Sequence, residues 1–425
     1  MEEPHSPSKD SSQKNEKDAD SKNTAAKPID GKYAVAKTAN AENADAKDAD
    51  ALSLDTDTRP LLPFERVKRQ VLVRRDMETL EKYGTWPEKR TIAQLFDYGI
   101  INIDKPSGPS SHQVSAYVQK ILNIEKSGHS GTLDPGVTGC LPVALGKATR
   151  VVQSLLNAGK EYICIMHIHQ ELPEEKVKET LRKFVGKIKQ LPPVKSAVKR
   201  QWRYRKIYYL NFIEMQGKNV LFITGTQAGT YIRKLVHDIG QELGCGAHML
   251  ELRRTKAGPF SEKNIVKMQD LADAYHYYKE NGDETLLRRF IMPFEFGISH
   301  LGKLWVFDTT VDSLCHGASL KVPGIAKVDS DIQLEDPVAI LTLKGELVAV
   351  GVARMISQDI AHKDHGIAAT LSQVFMNPGV YPKMDNKSPD KSAPHPASMH
   401  PPSSSLSPHP SSSLSSPLSP PSVAK

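Results

Sequence analysis

The two ends of this chain have almost nothing to put in a core. Residues 1–58 are built mainly of Lys, Asp, Ala, Asn and Ser, and residues 385–425 of Ser, Pro and His. Such segments bury too little apolar surface to offset the entropy of ordering them, so both are expected to be disordered. What folds must lie between about Arg59 and Met384, a stretch long enough for two cores. The tails also explain a hydrophobic share of 39%, low for a wholly globular chain.

Inside that body the apolar pattern changes period repeatedly. Residues 99–103 read as a strand, and Asp104-Lys105-Pro106-Ser107-Gly108-Pro109 as a turn-forming run. Ser110 and Ser111 can cap a helix whose apolar face is Val114, Tyr117, Val118, Ile121 and Leu122. Residues 140–145, 162–168 and 220–224 are further apolar runs, the last two read as strands, and residues 174–185 form an amphipathic helix stopped by Gly186. The spacing predicts a helix over 230–243, with Ile232, Leu235, Val236, Ile239 and Leu243 facing a core and Gly244 closing it. Strands and helices mixed in this way predict an α/β (α+β) body. Beyond about His300 the runs become short and β-like, at 304–307, 338–343 and 347–352, with Lys344-Gly345-Glu346 suited to a hairpin turn. The expected organisation is a polar extension (1–58), a basic lead-in packing on the body (59–98), the mixed body (99–300), a small β-rich domain (301–378) and a Ser/Pro tail (385–425).

The formal net charge of +7 suits an RNA partner without requiring one. Two clusters carry more information. Arg66, Lys68, Arg69, Arg74 and Arg75 lie close together; Lys195, Lys199, Arg200, Arg203, Arg205 and Lys206 interleave with Trp202, Tyr204, Tyr208 and Tyr209. Cations mixed with aromatics suit phosphate neutralisation and base stacking; a solvated basic edge has the same composition. Cys140, Cys164, Cys245 and Cys315 are scattered and form no CxxC pair, as in a reducing compartment. No apolar run has transmembrane length and no signal-peptide core is present, so a soluble intracellular protein without membrane contact is expected.

Chemistry concentrates in a few segments. Gly128-His129-Ser130-Gly131-Thr132-Leu133-Asp134-Pro135-Gly136-Val137-Thr138-Gly139 surrounds one carboxylate with small residues that let a large substrate approach the backbone. Asp before Pro is equally a turn former. In Gly229-Thr230-Tyr231-Ile232-Arg233, an arginine stands near a helix start, where the dipole disfavours it. A carboxylate partner would account for it and would be kept ionised by it; a solvated surface arginine is the other reading. Tyr162, in Lys160-Glu161-Tyr162, is either a core aromatic or a ring on which an extruded base stacks. Glu251-Leu252-Arg253-Arg254-Thr255 reads as a strand with a basic rim.

Together with Asn102-Ile103-Asp104-Lys105-Pro106, these segments occur in the order seen in the TruB/dyskerin pseudouridine synthases, and the resemblance runs from about Leu62 to Tyr381. Pro192-Pro193-Val194-Lys195-Ser196-Ala197-Val198-Lys199-Arg200, Leu62-Pro63-Phe64-Glu65 and Trp86-Pro87-Glu88 resemble the archaeal and eukaryotic branch, which serves box H/ACA guide RNAs. The C-terminal unit is similar to a PUA domain, Val311 to Gly317 and Gly324 matching its early helix and turn. The tail lacks the lysine blocks of eukaryotic dyskerins, which favours an archaeal-type protein.

The resemblance implies a pseudouridine synthase catalytic domain followed by a PUA-like RNA-binding domain, converting uridine to pseudouridine without a cofactor or metal. It implies Asp134 as the catalytic aspartate, Tyr162 stacking on the target uracil, and Arg233 pairing with Asp134. Tyr231 lines the pocket, His129 lies near the flipped nucleotide, Leu252 forms an apolar wall, and Lys105 is structural. The implied partners are tRNA, through its T-loop uridine, or box H/ACA guide RNA and ribosomal RNA with small partner proteins. The implied location is the cytoplasm, or the nucleolus in a eukaryote. The alternatives are a non-catalytic RNA-binding scaffold of the H/ACA particle, a glycoside hydrolase and a metal enzyme. A glycoside hydrolase usually needs two carboxylates, and the singled-out segments place one in a catalytic setting. Cys164, His167 and His169 are strand-spaced, with Cys164 on the opposite face from His169.

Overall fold

The computed structural model describes residues 60–192 and 200–383. The readings made for both chain ends, and for Lys195 and Lys199, lie outside the described residues. In chain order the strands are β1 (Val71–Val73), β2 (Gly99–Lys105), β3 (Ser127–His129), β4 (Thr138–Leu145), β5 (Lys160–Ile168), β6 (Gly186–Gln190), β7 (Arg203–Gln216), β8 (Asn219–Thr226) and β9 (Ala247–Ala257). They continue with β10 (Phe260–Ser261), β11 (Met292–Pro293), β12 (Gly302–Val306), β13 (Leu320–Lys321), β14 (Ile325–Asp329), β15 (Pro337–Thr342), β16 (Leu347–Ala353) and β17 (Ile367–Val374). The α-helices are α1 (Ile92–Tyr98), α2 (Ser111–Leu122), α3 (Val152–Leu156), α4 (Glu174–Lys183), α5 (Ile232–Leu243), α6 (Met268–Asn281), α7 (Thr285–Phe290), α8 (Asp308–Cys315) and α9 (Ser357–His362).

Among the described residues the strands form two sheets. The larger runs β11-β2-β4-β9-β5-β8-β7-β6, with β10 on β9 and β3 on β4; the smaller runs β1-β14-β12-β15-β16-β17-β13. Pairing is antiparallel except at β4–β9 and β12–β15. This is the expected mixed body followed by a small β-rich unit. No helix among the described residues is long and apolar enough to cross a membrane.

Local chemistry explains the elements that flank the site. Ser110 caps α2, its hydroxyl accepting from the Gln113 amide while the Gln113 side chain accepts from the Ser110 amide. Helix α5 ends at Gly244, whose φ of 80° suits a residue without Cβ. Alternation along β5 sends Tyr162, Cys164, Met166 and Ile168 into a core with Val177 and Leu181 of α4 and Ile232, Leu235, Val236, Ile239 and Leu243 of α5. A second core fills the space between β2, β4, α1, α2, α6 and α7, around Ile101, Ile103, Leu141 and Val143.

The lead-in packs on both sheets. Leu62 is fully buried against Tyr209 and Ile223 of the larger sheet, whereas β1 pairs with β14 at the edge of the smaller one. The two sheets share a further core, in which Ile100, Val151, Leu155, Phe260 and Phe294 meet Ala339, Leu341, Leu347 and Phe375. Strand β7 lies where the sequence shows no strand period: its first half reads as a run of charge and aromatics, and its strand form comes from pairing with β6 and β8.

Candidate active site

The segment around Asp134 is framed by β3 and β4 and pinned on each side of the carboxylate. Leu133 and Val137 are buried in the same apolar cluster as Tyr162 and Ile232. The Val137 amide donates to the Asp134 carbonyl at 3.0 Å, so Asp134 does begin a turn with Pro135 next in line. That turn directs the carboxylate outward to Arg233, whose Nη2 lies 2.5 Å from Oδ2. Both side chains are more than half exposed, at 54% and 58%. The turn-former reading and the ion-pair reading of this aspartate are therefore true together.

Arg233 is the second residue of α5. Tyr231 stands at the helix N-cap, and Gln190 grips its backbone twice, accepting from its amide at 3.1 Å and donating to its carbonyl at 3.2 Å. The 3.6-residue period of the helix buries Ile232 with Leu235, Val236 and Ile239 and leaves Arg233 exposed. Gln190 and the buried Ile232 thus fix the start of α5 and the backbone that carries Arg233.

Tyr162 on β5 is only 9% exposed, and half-buried Leu252 on β9 packs against the same cluster. The structure brings Asp134 and Arg233 into direct contact and places Tyr162 and Leu252 in the apolar cluster that also holds Leu133 and Ile232, the chain neighbours of that pair. His129 lies on β3, its ring edge-on to His112 with centroids 4.7 Å apart. Neither nitrogen of its buried ring has a hydrogen-bond partner among the described residues. Burial pushes its pKa down to about 4, helped by His112 and Arg254, so the ring is neutral over the physiological range.

Two buried cations lie beneath the Asp134 segment. Lys105, fully buried at the end of β2, donates to the carbonyls of Pro106 (2.8 Å), Pro135 (2.9 Å) and Val137 (2.9 Å). Burial lowers its pKa from the usual lysine value, and Asp134 acts in the opposite direction. Arg254, 1% exposed, donates to the carbonyls of Cys140 at 2.8 Å and Gly131 at 3.2 Å. The reading of Arg254 as part of a basic rim is corrected: β9 alternates, so only one of Arg253 and Arg254 can face outward. Arg253 is the one at the surface, between Asp104 and Glu262. That alternation was the signal in the sequence for an inward arginine. Gly139 completes the frame, because with φ at 100° a Cβ there would lie 2.2 Å from the Arg254 carbonyl oxygen.

The basic clusters divide. Arg69 is bound to Asp331 and to the carbonyls of Ser299 and His300, Arg74 to the carbonyls of Val322 and Lys363, and Arg66 to that of Leu61. Arg69 and Arg74 thus dock the lead-in, while the Arg66 bond stays within it. On the β6–β7 ribbon, Trp202 and Tyr204 remain exposed, with Lys189 over the Trp202 ring at 5.0 Å and Lys187 over the Tyr204 ring at 4.3 Å. Cys164 is buried on the core face of β5, while His167 bonds to Asn219 and His169 to His248.

Comparison with known proteins agrees with this architecture along its length. Residues 119–232 match the N-terminal domain of TruB family pseudouridylate synthases, and 233–299 match the tRNA pseudouridylate synthase B C-terminal domain. Residues 302–375 match a PUA domain and 62–115 a DKCLD (NUC011) domain. A Methanopyrus kandleri protein described as "Probable tRNA pseudouridine synthase B" is 51% identical over 332 residues, which is 78% of this chain and 97% of the relative. A Pyrococcus furiosus protein of the same description is 51% identical over 333 residues, 78% and 98% of the two chains. Among solved structures, a chain of a Cbf5-Nop10-Gar1 complex is 52% identical with a TM-score of 0.72, covering 75% of this chain and 98% of its own. A chain of an H/ACA RNP bound to a substrate RNA containing 2′-deoxyuridine is 49% identical, also with a TM-score of 0.72, covering 76% and 100%. These matches define the class, a pseudouridine-forming isomerase. The chain belongs to the TruB family of pseudouridylate synthases, in a form that carries both a DKCLD and a PUA domain.

Proposed function

We propose that this chain isomerises uridine in structured RNA, at the T-loop of tRNA and, together with a box H/ACA guide RNA, in ribosomal RNA, with Asp134 as its catalytic residue. The observation that carries the reading is the exposed Asp134–Arg233 pair, whose chain neighbours Leu133 and Ile232 are buried in one apolar cluster with Tyr162. The target nucleotide must leave its stack, at a cost of a few kcal/mol. Tyr162 and Leu252 receive the base, and an aromatic partner returns about 1 to 3 kcal/mol of that cost. Arg233 meets the carboxylate, which the backbone held by Lys105 and Arg254 keeps aimed. Three routes use the same carboxylate: attack at C1′, attack on the base, or removal of a sugar proton. Each breaks N1–C1′, turns the uracil, joins C5 to C1′, releases a proton from C5 and places one on N1. Nothing is oxidised and no group is lost, so the reaction needs no cofactor. Tyr231 and His129 line the approach to the pair.

The relatives solved as a Cbf5-Nop10-Gar1 complex and as an H/ACA RNP with substrate RNA support small H/ACA proteins and guide RNA as partners of this chain too. The PUA-like unit then holds RNA away from the catalytic pair, and the protein works where those RNAs are, in the cytoplasm or, in a eukaryote, the nucleolus. The test is tritium release from 5-tritiated RNA. Release from bare tRNA by the protein alone supports stand-alone action; release only with guide RNA and partner proteins supports the particle. No release under either condition, or equal release by Asp134→Asn, overturns the reading.

A further inference from the structure

Arg254 is the largest fully buried side chain among the described residues, and no carboxylate of a described residue lies within ion-pair distance of it. A buried guanidinium without an acid partner is costly unless its donors are used. Two of its donors lie on backbone carbonyls at the two ends of one segment: Nη2 on Gly131 and Nε on Cys140. Asp134 lies between those two anchors. Lys105 grips the interior of the same segment at Pro135 and Val137. Neither cation touches the Asp134 carboxylate by hydrogen bond, and both act on the peptide units around it.

We infer that Arg254 is a positioning residue for the reaction, acting through the backbone of residues 131–140 to hold the Asp134 carboxylate at Arg233. The inference rests on the reading of Asp134 as the catalytic group. A planar fork suits the task, because it holds its two acceptors at a fixed separation and angle, whereas the ammonium of a lysine sits on a flexible stem. The approach is close on the other strand as well: β4 pairs with β9 in parallel at Gly139 and Arg254, and a Cβ at Gly139 would collide with the Arg254 backbone. Strand pairing and guanidinium therefore locate the same segment from one residue. Relaxing the fork lets the turn residues ahead of β4 shift while the exposed aromatic and basic side chains of β6 and β7 stay where they are. A misplacement of about 1 Å at a reacting group costs on the order of a hundredfold in rate. The loss should accordingly fall on the chemical step and spare affinity.

The experiment uses the full chain, Arg254→Met and Arg254→Lys, and whichever 5-tritiated RNA the wild type turns over. Single-turnover rates are measured with enzyme in excess, so that a partly unfolded preparation alters the apparent Kd and leaves the saturated rate intact. Arg254→Met is expected to lower the saturated rate by roughly a hundredfold with Kd within threefold of wild type. Arg254→Lys, which keeps the charge and reaches one carbonyl, is expected to recover part of that loss. A saturated-rate loss of less than tenfold in Arg254→Met, or a loss confined to Kd, overturns the inference. If Arg254→Met does not fold, Arg254→Lys decides alone: a threefold or greater fall in saturated rate supports positioning, and anything smaller overturns it. Wild-type turnover together with an inert Asp134→Asn separates this outcome from failure of the functional reading itself.

Discussion

Removing the Phe375 side chain should loosen the whole described body. Its ring is 2% exposed, sits 5.9 Å from the Phe294 ring, and lies beneath the Arg150 guanidinium at 5.8 Å. It belongs to the core shared by the two sheets, so Phe375→Ala opens a cavity at their junction. Truncations of buried Phe to Ala cost about 3 to 5 kcal/mol. At roughly 2 to 3 °C per kcal/mol for a body of this size, Tm should fall by roughly 6 to 15 °C. Differential scanning calorimetry of the full chain should show one transition moving as a unit. The saturated rate should stay within about threefold of wild type, because Phe375 is absent from the cluster that holds Leu133 and Tyr162. Two separate wild-type transitions, with only one shifting in the variant, would refute the claim that the sheets share a core; so would a Tm change under 3 °C.

Asp134→Asn should abolish tritium release while RNA affinity, measured by filter binding, stays within about threefold; activity within tenfold of wild type removes Asp134 from the mechanism. Lys105→Met leaves three carbonyl acceptors without their donor. At about 1 to 3 kcal/mol for each unsatisfied buried group, Tm should drop by several degrees with a parallel loss of rate, and an unchanged Tm would show that the ammonium is dispensable. His129 and His300 both have folded pKa values lowered to about 4, chiefly by burial, against an ordinary 6.5. Between those values the unfolded chain binds protons that the folded chain refuses, so stability falls as pH drops from about 6.5 toward 4. Thermal melts of wild type and His300→Gln across that range should converge at low pH; parallel curves would show that His300 is not excluded from protonation.

Much of the fold was legible because it rests on local rules. The apolar stripe of α2 with its Ser110 cap, α5 with its terminal Gly244, and the Lys344-Gly345-Glu346 turn between β15 and β16 all follow from spacing and turn chemistry. Strand β1 was not legible: three residues pair with β14 more than 250 positions away, and only the neighbouring strand makes them a strand. The same holds for β7, whose basic and aromatic residues resemble a binding tract more than a strand interior. At the site, Asp134, Tyr162, Arg233 and Leu252 were named from ordered motifs. Gln190 was not, because its grip on the Tyr231 backbone joins two segments 41 residues apart and neither end has a recognisable pattern.

The weak partner in this site is the ion pair itself. With both side chains more than half exposed, Asp134 and Arg233 are screened by water, and pairs of that kind contribute little to holding a structure in place. Their separation must then be set by what lies behind them. Asp134 is flanked by Leu133 and, beyond the turn, Val137, both buried; Arg233 follows Ile232, also buried, and all three share one core with Tyr162. The carbonyls around Asp134 are taken by Lys105 and Arg254, and the backbone before Arg233 by Gln190. The pair is therefore a consequence of the frame. Leu133→Ala, which touches neither charge, should disturb catalysis more than weakening the ion pair with added salt does, once the effect of salt on RNA binding is removed by measuring rates at saturation.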